Sequence, residues 1–185
     1  MPTYGTIQRV NPSKPRLEVL RGFNPNEPFQ QSATHPVQDD VNIASGQLIV
    51  LVGEELSPTG YEWIVCPTDY SGGAVYVAQK DSEDEDILSA GNMSGLSCAG
   101  QYELEMAFFD GAATDYTESV YLTPSDTVAG NVMPIAAAAT TNFPAAAETV
   151  IGQITRKAGS TDGINSNVAP TDVITWRTVF IPRTA

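Results

Sequence analysis

Short apolar runs separated by turn residues dominate the chain from residue 41 onward. The runs are rich in β-branched and aromatic residues and are bounded by Gly, Pro, Asn, Asp and Ser, which is typical of β-strands. About seven or more strands are predicted, which indicates an all-β sandwich or barrel. The predicted strands are residues 47–52, 61–66, 74–78, 101–109, 119–122, 149–155 and 173–181.

One of these runs alternates apolar and polar positions with the period of a half-buried strand. Tyr102, Leu104 and Met106 share one face, and Glu103 and Glu105 share the other. Paired carboxylates are used by glycoside hydrolases, which place them on opposite sides of the scissile bond. We interpret the two glutamates as the solvent face of a strand, and a small β-rich hydrolase is the alternative.

Helix is predicted in one place only. Ser82 and Glu85 have the Ser-x-x-Glu spacing of a capping box, which predicts a short helix that continues to Ala90 and ends at Gly91. The acidic run 81–86 also offers oxygen ligands for calcium, but it lacks the glycine of an EF-hand loop. We interpret this run as a solvated turn.

The first 40 residues have a different character, with prolines at positions 2, 12, 15, 25, 28 and 36. Proline removes a backbone donor and is unfavourable in helices and central strands. We therefore predict an extended N-terminal arm over residues 1–40 and a β-rich body over 41–185. One short strand is predicted within the arm, at Arg16–Leu20. The rest of the arm requires a partner surface or the body itself for order, and plain terminal disorder is the alternative.

The last predicted strand, residues 173–181, is strongly apolar. A free apolar edge would invite aggregation. We expect this strand to lie either in the centre of a sheet or against a neighbouring subunit.

Charge is segregated along the chain, whose formal net charge is −13. Such a charge disfavours nucleic acid and anionic membranes as partners, because binding to both depends on basic side chains. Residues 22–149 hold one basic residue against 19 acidic ones, whereas residues 1–21 hold four basic residues against one acidic residue. Residues 150–185 likewise hold four basic residues against two acidic ones. We predict that the two basic ends bind acidic protein neighbours, including copies of the same protein, and ordinary solvated surface is the alternative. The candidate partner-binding residues are those of the arm, Arg9, Lys14, Arg16 and Arg21.

Residues that commonly carry catalysis are few. The single histidine, His35, falls in the predicted arm, which is a poor platform for a positioned base. Cys66 and Cys98 stand in apolar surroundings, and we interpret them as buried thiols, with a disulfide as the alternative. The chain has no phosphate-binding loop and no zinc motif. We predict that the protein is not an enzyme and uses no cofactor or metal.

The aromatic residues Tyr61, Trp63 and Tyr76 offer a platform on which a sugar ring could stack, but at strand spacing we assign them to the core. The first residues lack the apolar segment of a secretory signal, so synthesis in the cytoplasm is expected.

Five short motifs lie between residues 46 and 156: an apolar strand after a glycine, an acidic segment that ends in Ala-Gly, a Gly-x-Tyr-Glu strand, a Leu-Thr pair and an Ile-Gly-x-Ile segment. They are Gly46–Gly53, Tyr76–Gly91, Leu96–Glu105, Leu122–Thr123 and Val150–Thr155. In these motifs the chain resembles the capsid decoration (cement) proteins of tailed bacteriophages. The proline-rich arm and the final strand lie outside the resemblance.

The resemblance implies a structural protein of the virion that is made in the host cytoplasm. Such a protein binds the major capsid protein on the outer surface of the head, associates as a homotrimer and stabilises the capsid lattice. The alternative is a receptor- or carbohydrate-binding β module of the tail-fibre or lectin type, which would expose the aromatic residues Tyr61, Trp63 and Tyr121.

Overall fold

The structure, a computed structural model, describes ten stretches of the chain. They are residues 18–21, 32–53, 60–68, 70, 72–99, 102–110, 116, 119–135, 149–156 and 174–181. These stretches contain eleven strands and one helix. In chain order the elements are β1 (Glu18–Arg21), β2 (Ser32–His35), β3 (Leu48–Val52), β4 (Glu62–Val65), β5 (Tyr76–Ala78), α1 (Glu85–Ala90), β6 (Met93–Ser97), β7 (Glu103–Met106), β8 (Tyr121–Pro124), β9 (Val132–Pro134), β10 (Val150–Arg156) and β11 (Ile174–Ile181).

The predicted all-β class is confirmed. The strands form a six-stranded sheet in the order β1-β7-β11-β10-β8-β9 and a five-stranded sheet in the order β2-β6-β5-β3-β4. Every pair of neighbouring strands within the two sheets is antiparallel.

The five-stranded sheet closes on itself to form a small barrel. Directly after β2, Val37 forms a parallel bridge with Trp63 of β4. The Trp63 amide donates to the carbonyl of Pro36 at 2.8 Å, and the Gln38 amide donates to the carbonyl of Trp63 at 3.0 Å. When five antiparallel strands form a closed sheet, the first and the last strand run in the same direction. The bridge between the end of β2 and β4 is therefore parallel. Closure also removes the two free edges that an open sheet would present.

Trp63 fills the inside of the barrel. Its side chain is fully buried together with Ile49 and Met93, and its indole Nε1 donates to the carbonyl of Met93 at 2.8 Å. Gly95 on β6 leaves room for the ring, because a Cβ there would lie 3.1 Å from two atoms of Trp63. Ile87 of α1 packs against the same cluster, so the helix rests on the barrel core.

The larger core lies between the outside of the barrel and the six-stranded sheet. Side chains from both sheets belong to one buried cluster, and burial of each large apolar side chain contributes about 1.5–3 kcal/mol. The barrel strands contribute Leu48, Val50, Val77 and Leu96, and the sheet strands contribute Leu104, Met106, Leu122, Val132, Ile154, Ile174 and Trp176.

The turn between β8 and β9 connects the two sheets through backbone hydrogen bonds. The Gly130 amide donates to the carbonyl of Cys66, and the Leu48 amide donates to the carbonyl of Gly130, each at 2.8 Å. Gly130 has φ +76°, and a Cβ there would lie 2.8 Å from Cγ1 of Val65. Glycine is therefore required at this contact by both backbone conformation and space.

Six of the predicted strands contain or closely match an observed strand, namely β3, β4, β5, β7, β10 and β11. The predicted strand 119–122 is displaced, because β8 runs from Tyr121 to Pro124. The strands β2, β6 and β9 were not predicted. The last strand, β11, lies between β7 and β10. This confirms a position in the centre of a sheet, which was one of the two placements expected from the sequence.

The helix ends as predicted but begins differently. Gly91 terminates it in the left-handed conformation with φ 69°, and its amide donates to the carbonyl of Ile87. The predicted capping box at Ser82 is wrong, since the residue before the helix is Asp84, which makes no side-chain cap. The Ser82 Oγ instead accepts a hydrogen bond from the buried amide of Ile43 at 3.0 Å.

Two segments of the predicted arm take part in the sheets. Residues 18–21 form β1, an edge strand beside β7 that overlaps the strand predicted at Arg16–Leu20. Residues 32–35 form β2, which pairs with β6. These segments pair with strands of the body, and order obtained from the body is one of the three possibilities that the sequence left open. Residues 1–17 and 22–31 lie outside the described part of the chain.

Candidate interaction surfaces

The four candidate partner-binding residues lie at the start of the chain. Arg9, Lys14 and Arg16 fall outside the described residues. Arg21 is the last residue of β1, and its backbone is in register with Glu103 of β7. The basic segment therefore leads into the edge of the six-stranded sheet.

A row of residues crosses the six-stranded sheet at the register position of Glu103. Glu103 is in register with Arg21 on one side and with Arg177 on the other. The row continues from Arg177 to Gln153 and from Gln153 to Tyr121. The Nε of Arg177 donates to Oε1 of Gln153 at 3.1 Å. Glu103 and Arg177 carry opposite charges directly across the pair of β7 and β11, which is favourable and stabilises the register of these two strands.

Glu103 and Glu105 lie on the face predicted for them. Both glutamates are half-buried. Leu104 and Met106, which alternate with them along β7, are fully buried. The Glu103 Oε1 accepts a hydrogen bond from Oγ1 of Thr155 at 3.1 Å. Two carboxylates on one face of one strand do not provide the opposed pair that glycoside hydrolysis uses.

His35 lies in β2 and not in a flexible arm, which corrects the placement expected from the sequence. Its ring makes edge-on contacts with Trp63 and Tyr61, with centroid distances of 5.5 and 6.2 Å. Trp63 itself is fully buried, as predicted for a core residue, while Tyr61 is 39% exposed. With Trp63 inside the barrel, the three aromatic residues that were considered for sugar stacking do not form an exposed platform.

The cysteines are free and buried, so their interpretation as thiols is confirmed. Burial raises the pKa of the Cys66 thiol to about 12. Burial, with a smaller effect of Cys66, also raises the pKa of Cys98. Because the thiolate is the reactive form, both residues are inert at neutral pH.

A buried carboxylate that was not among the predicted site residues lies after β7. Asp110 is 4% exposed, and its Oδ2 accepts hydrogen bonds from the hydroxyl groups of Ser125, at 3.0 Å, and Thr127. The Tyr116 hydroxyl donates to the carbonyl of Asp110 at 2.8 Å. Burial raises the pKa of Tyr116, and the nearby Asp110 raises it further. In the sequence, Asp110-Gly111 is indistinguishable from an ordinary turn.

Asp110 fixes the turn between β8 and β9. The Oγ of Ser125 accepts the backbone amides of Thr127 and Val128 at 3.2 and 3.0 Å. This turn also carries Gly130, which bonds to the barrel. The contacts of Asp110 are therefore structural and connect the six-stranded sheet to the barrel.

The surface around α1 is acidic, concave and exposed. A shallow groove of about 580 Å³ lies between residues 42–47 and 81–84. Within it, Oδ1 of Asp81 accepts the amide of Ser45 at 2.7 Å. On the helix, Asp86 pairs with Lys80 at 2.5 Å. This contact raises the pKa of Lys80 and lowers that of Asp86.

None of the residues of α1 is fully buried. Leu88 is 68% exposed, the largest exposed fraction among the large apolar side chains of the described residues. Glu83, Asp84 and Glu85 are exposed beside it. We call the groove together with residues 83–88 the α1 surface. The exposed Leu88 thus lies about one helical turn from Asp84, which lines the acidic groove.

Two further properties of the described residues concern metal binding and membranes. No group of three or more His, Cys, Asp or Glu side chains in this part of the chain is placed to hold a metal ion. No helix found there has the length and apolar character needed to cross a membrane. In comparisons of the sequence with known proteins, no family model and no curated protein matches it.

Proposed function

We propose that this chain is a structural protein that binds the outside of a bacteriophage capsid and stabilises the lattice. The observation that carries the proposal is the separation of charge between a basic N-terminal segment and an acidic β body, joined at the edge of the six-stranded sheet by β1. A segment that begins at a sheet edge can leave the body and contact a neighbouring molecule.

The resemblance to decoration proteins supports the same proposal. The motifs that carry it fall on β3, β5, α1, β7, β8 and β10, which are elements of both sheets. The groups best suited to proton transfer or nucleophilic attack in the described residues are held by packing, namely His35 against aromatic rings and the two cysteines in the core. Adhesion needs a stable body and a partner-binding segment, and it needs no reactive group.

A repeated lattice favours a protein of this kind. When several copies are held on one shell, each weak contact adds to the others, and the total attachment exceeds that of any single contact. The proposed partner is the major capsid protein, and the proposed assembly of the protein is a homotrimer. An acidic outer body also avoids the packaged nucleic acid, which it would repel.

The test mixes the full chain with undecorated capsids of the phage that encodes it and measures cosedimentation at physiological salt. We expect binding that saturates and that raises the temperature at which the capsids open. The variant Arg9→Gln/Lys14→Gln/Arg16→Gln should bind about tenfold more weakly, on the basis of three weak charge contacts. The comparison variant Lys157→Gln/Arg183→Gln changes basic residues of the C-terminal end and should weaken binding less than the arm variant, because the arm holds the proposed contacts. Absence of cosedimentation by the unaltered chain would refute the proposal.

A further inference from the structure

We propose that the α1 surface of one copy binds the basic segment 1–17 of a neighbouring copy. The inference names a partner for the arm and rests on the proposed function for the assembly of many copies side by side. Its test uses no capsid, so that the two proposals can fail separately.

The α1 surface lacks a cover of its own in the described residues. A helix of six residues is too short to be stable without packing, and α1 packs mainly through the half-buried Ile87. Leu88, on the exposed side, is left with 68% of its surface in contact with solvent. A partner that covers Leu88 would remove apolar surface from water and stabilise the helix.

The charge and composition of residues 1–17 match those of the α1 surface and identify this segment as its proposed occupant. Residues 81–86 hold five acidic side chains, of which Asp81 and Asp86 already have partners in Ser45 and Lys80. Residues 1–17 contain three basic side chains and no acidic one, and they include the apolar residues Ile7 and Val10 on either side of Arg9. The segment can therefore offer apolar contact to Leu88 and positive charge to Glu83, Asp84 and Glu85.

The length of the segment is sufficient for contact with another copy. An extended chain rises at most about 3.3 Å per residue, so 17 residues reach about 55 Å from the start of β1. A compact domain of this size has a radius of gyration of roughly 16 Å and is about 40 Å across. The segment is thus longer than the body is wide.

The experiment is a complementation between two variants of the full chain. The first, Arg9→Gln/Lys14→Gln/Arg16→Gln, has an altered arm and an intact α1 surface. The second, Glu83→Gln/Asp84→Asn/Glu85→Gln, has an intact arm and an altered α1 surface. Trypsin cleaves after Arg9 and Arg16 in the second variant, whereas the bond after Lys14 resists trypsin because Pro15 follows it. Mass spectrometry follows the rate of the two cleavages.

In concentrated unaltered protein we expect cleavage of the arm about tenfold slower than in the second variant alone, because three weak charge contacts together give a change of that size. Adding the first variant to the second should restore the protection, since its intact α1 surface receives the other copy's arm. High salt should abolish protection, and a synthetic peptide of residues 1–17 corrects for the effect of salt on trypsin.

A control variant removes the same number of charges at other exposed acids, by Asp39→Asn/Asp40→Asn/Asp126→Asn. It should protect the arm as the unaltered protein does. The proposal is overturned if the arm of the unaltered protein is cleaved as fast as the free peptide, if the control loses protection equally, or if mixing the two variants restores nothing. The last result would mean that the arm binds its own body. Capsid binding without this protection would leave the proposed function standing and remove only this inference.

Discussion

Replacing Gly152 by alanine tests how the larger core is packed. Gly152 lies in the middle of β10, and a Cβ at this position would be 2.0 Å from Cε3 of Trp176, 2.4 Å from its Cζ3 and 2.9 Å from the carbonyl oxygen of Arg177. Trp176 is fully buried in the cluster between the two sheets. The added methyl group therefore cannot be accommodated unless the indole ring or the strand moves.

The expected cost follows from that geometry. Overpacking a core destabilises a protein by typically 1–3 kcal/mol, and an approach of 2.0 Å places this substitution at the upper end. For a chain of this length, about 3 kcal/mol corresponds to a fall in Tm of roughly 6–12 °C. Alanine is otherwise better than glycine in a strand, so a change without the contact would be neutral or slightly stabilising.

The assay is urea unfolding of the Gly152→Ala variant, followed by circular dichroism. Gly73→Ala is the matched control, because a Cβ at Gly73 meets no atom within 4 Å, and its stability should stay within about 0.5 kcal/mol of the original. Trp176→Phe removes the ring atoms nearest to Gly152. The double variant should therefore be more stable than the sum of the two single changes predicts. A Gly152→Ala protein that loses less than about 1 kcal/mol would refute the proposed packing.

Two further changes test the polar contacts and the buried thiols. Asp110→Ala leaves the hydroxyl groups of Ser125 and Thr127 without their acceptor. We expect the free energy of unfolding, measured in urea, to fall by about 2–4 kcal/mol. A fall of less than about 0.5 kcal/mol would contradict the linking role of Asp110. The Cys66 thiol has a pKa of about 12 in the folded protein and about 8.5 when unfolded, so the unfolded state releases its proton first. Its contribution to stability is complete below about pH 8.5 and is lost as the pH rises towards 12. Unfolding measured from pH 8 upward should show a steeper loss in the original protein than in Cys66→Ala, and equal slopes would contradict the burial of this thiol.

The strands that could be predicted are those in which the local pattern and the tertiary structure agree. The apolar run of β3 lies between β5 and β4, and the long apolar run of β11 lies between β7 and β10. Both strands have a neighbour on each side, and most of their described side chains are buried. The alternation in β7 also matches a sheet with one packed and one polar face. In each case the side chains that predict the strand are also the ones that the core buries.

Strands that were missed depend on contacts far away in the sequence. β6 reads Met-Ser-Gly-Leu-Ser, and glycine and serine disfavour strands locally. The strand forms because it pairs on both sides, with β2 and β5, and because Gly95 leaves space for Trp63. Likewise, Ser82 has the local signature of a helix cap, but the amide of Ile43, 39 positions away, takes its hydroxyl group. No pattern within one segment contains such information.

The interaction surfaces were predictable only in part, for the same reason. The excess of basic residues at the start of the chain is visible in the sequence, because charge is a property of composition. The groove beside α1 is formed by two segments about 40 residues apart, and the exposure of Leu88 results from the way in which Ile87 alone turns towards the barrel. The sequence therefore shows the basic segment at the start of the chain, whereas its proposed binding surface required the fold.

The segregation of charge has a consequence for assembly under the proposed function. The acidic bodies of two copies repel each other, whereas each basic arm attracts a neighbouring body. In solution one arm contact has to overcome the repulsion alone, so association between free molecules requires concentrated protein. On a lattice the copies are held at fixed spacing by the capsid, and each arm then acts at a high effective concentration. Charge segregation of this kind thus favours assembly on the shell over aggregation in solution, and it requires a body that is rigid enough to hold the arm and the α1 surface in fixed positions.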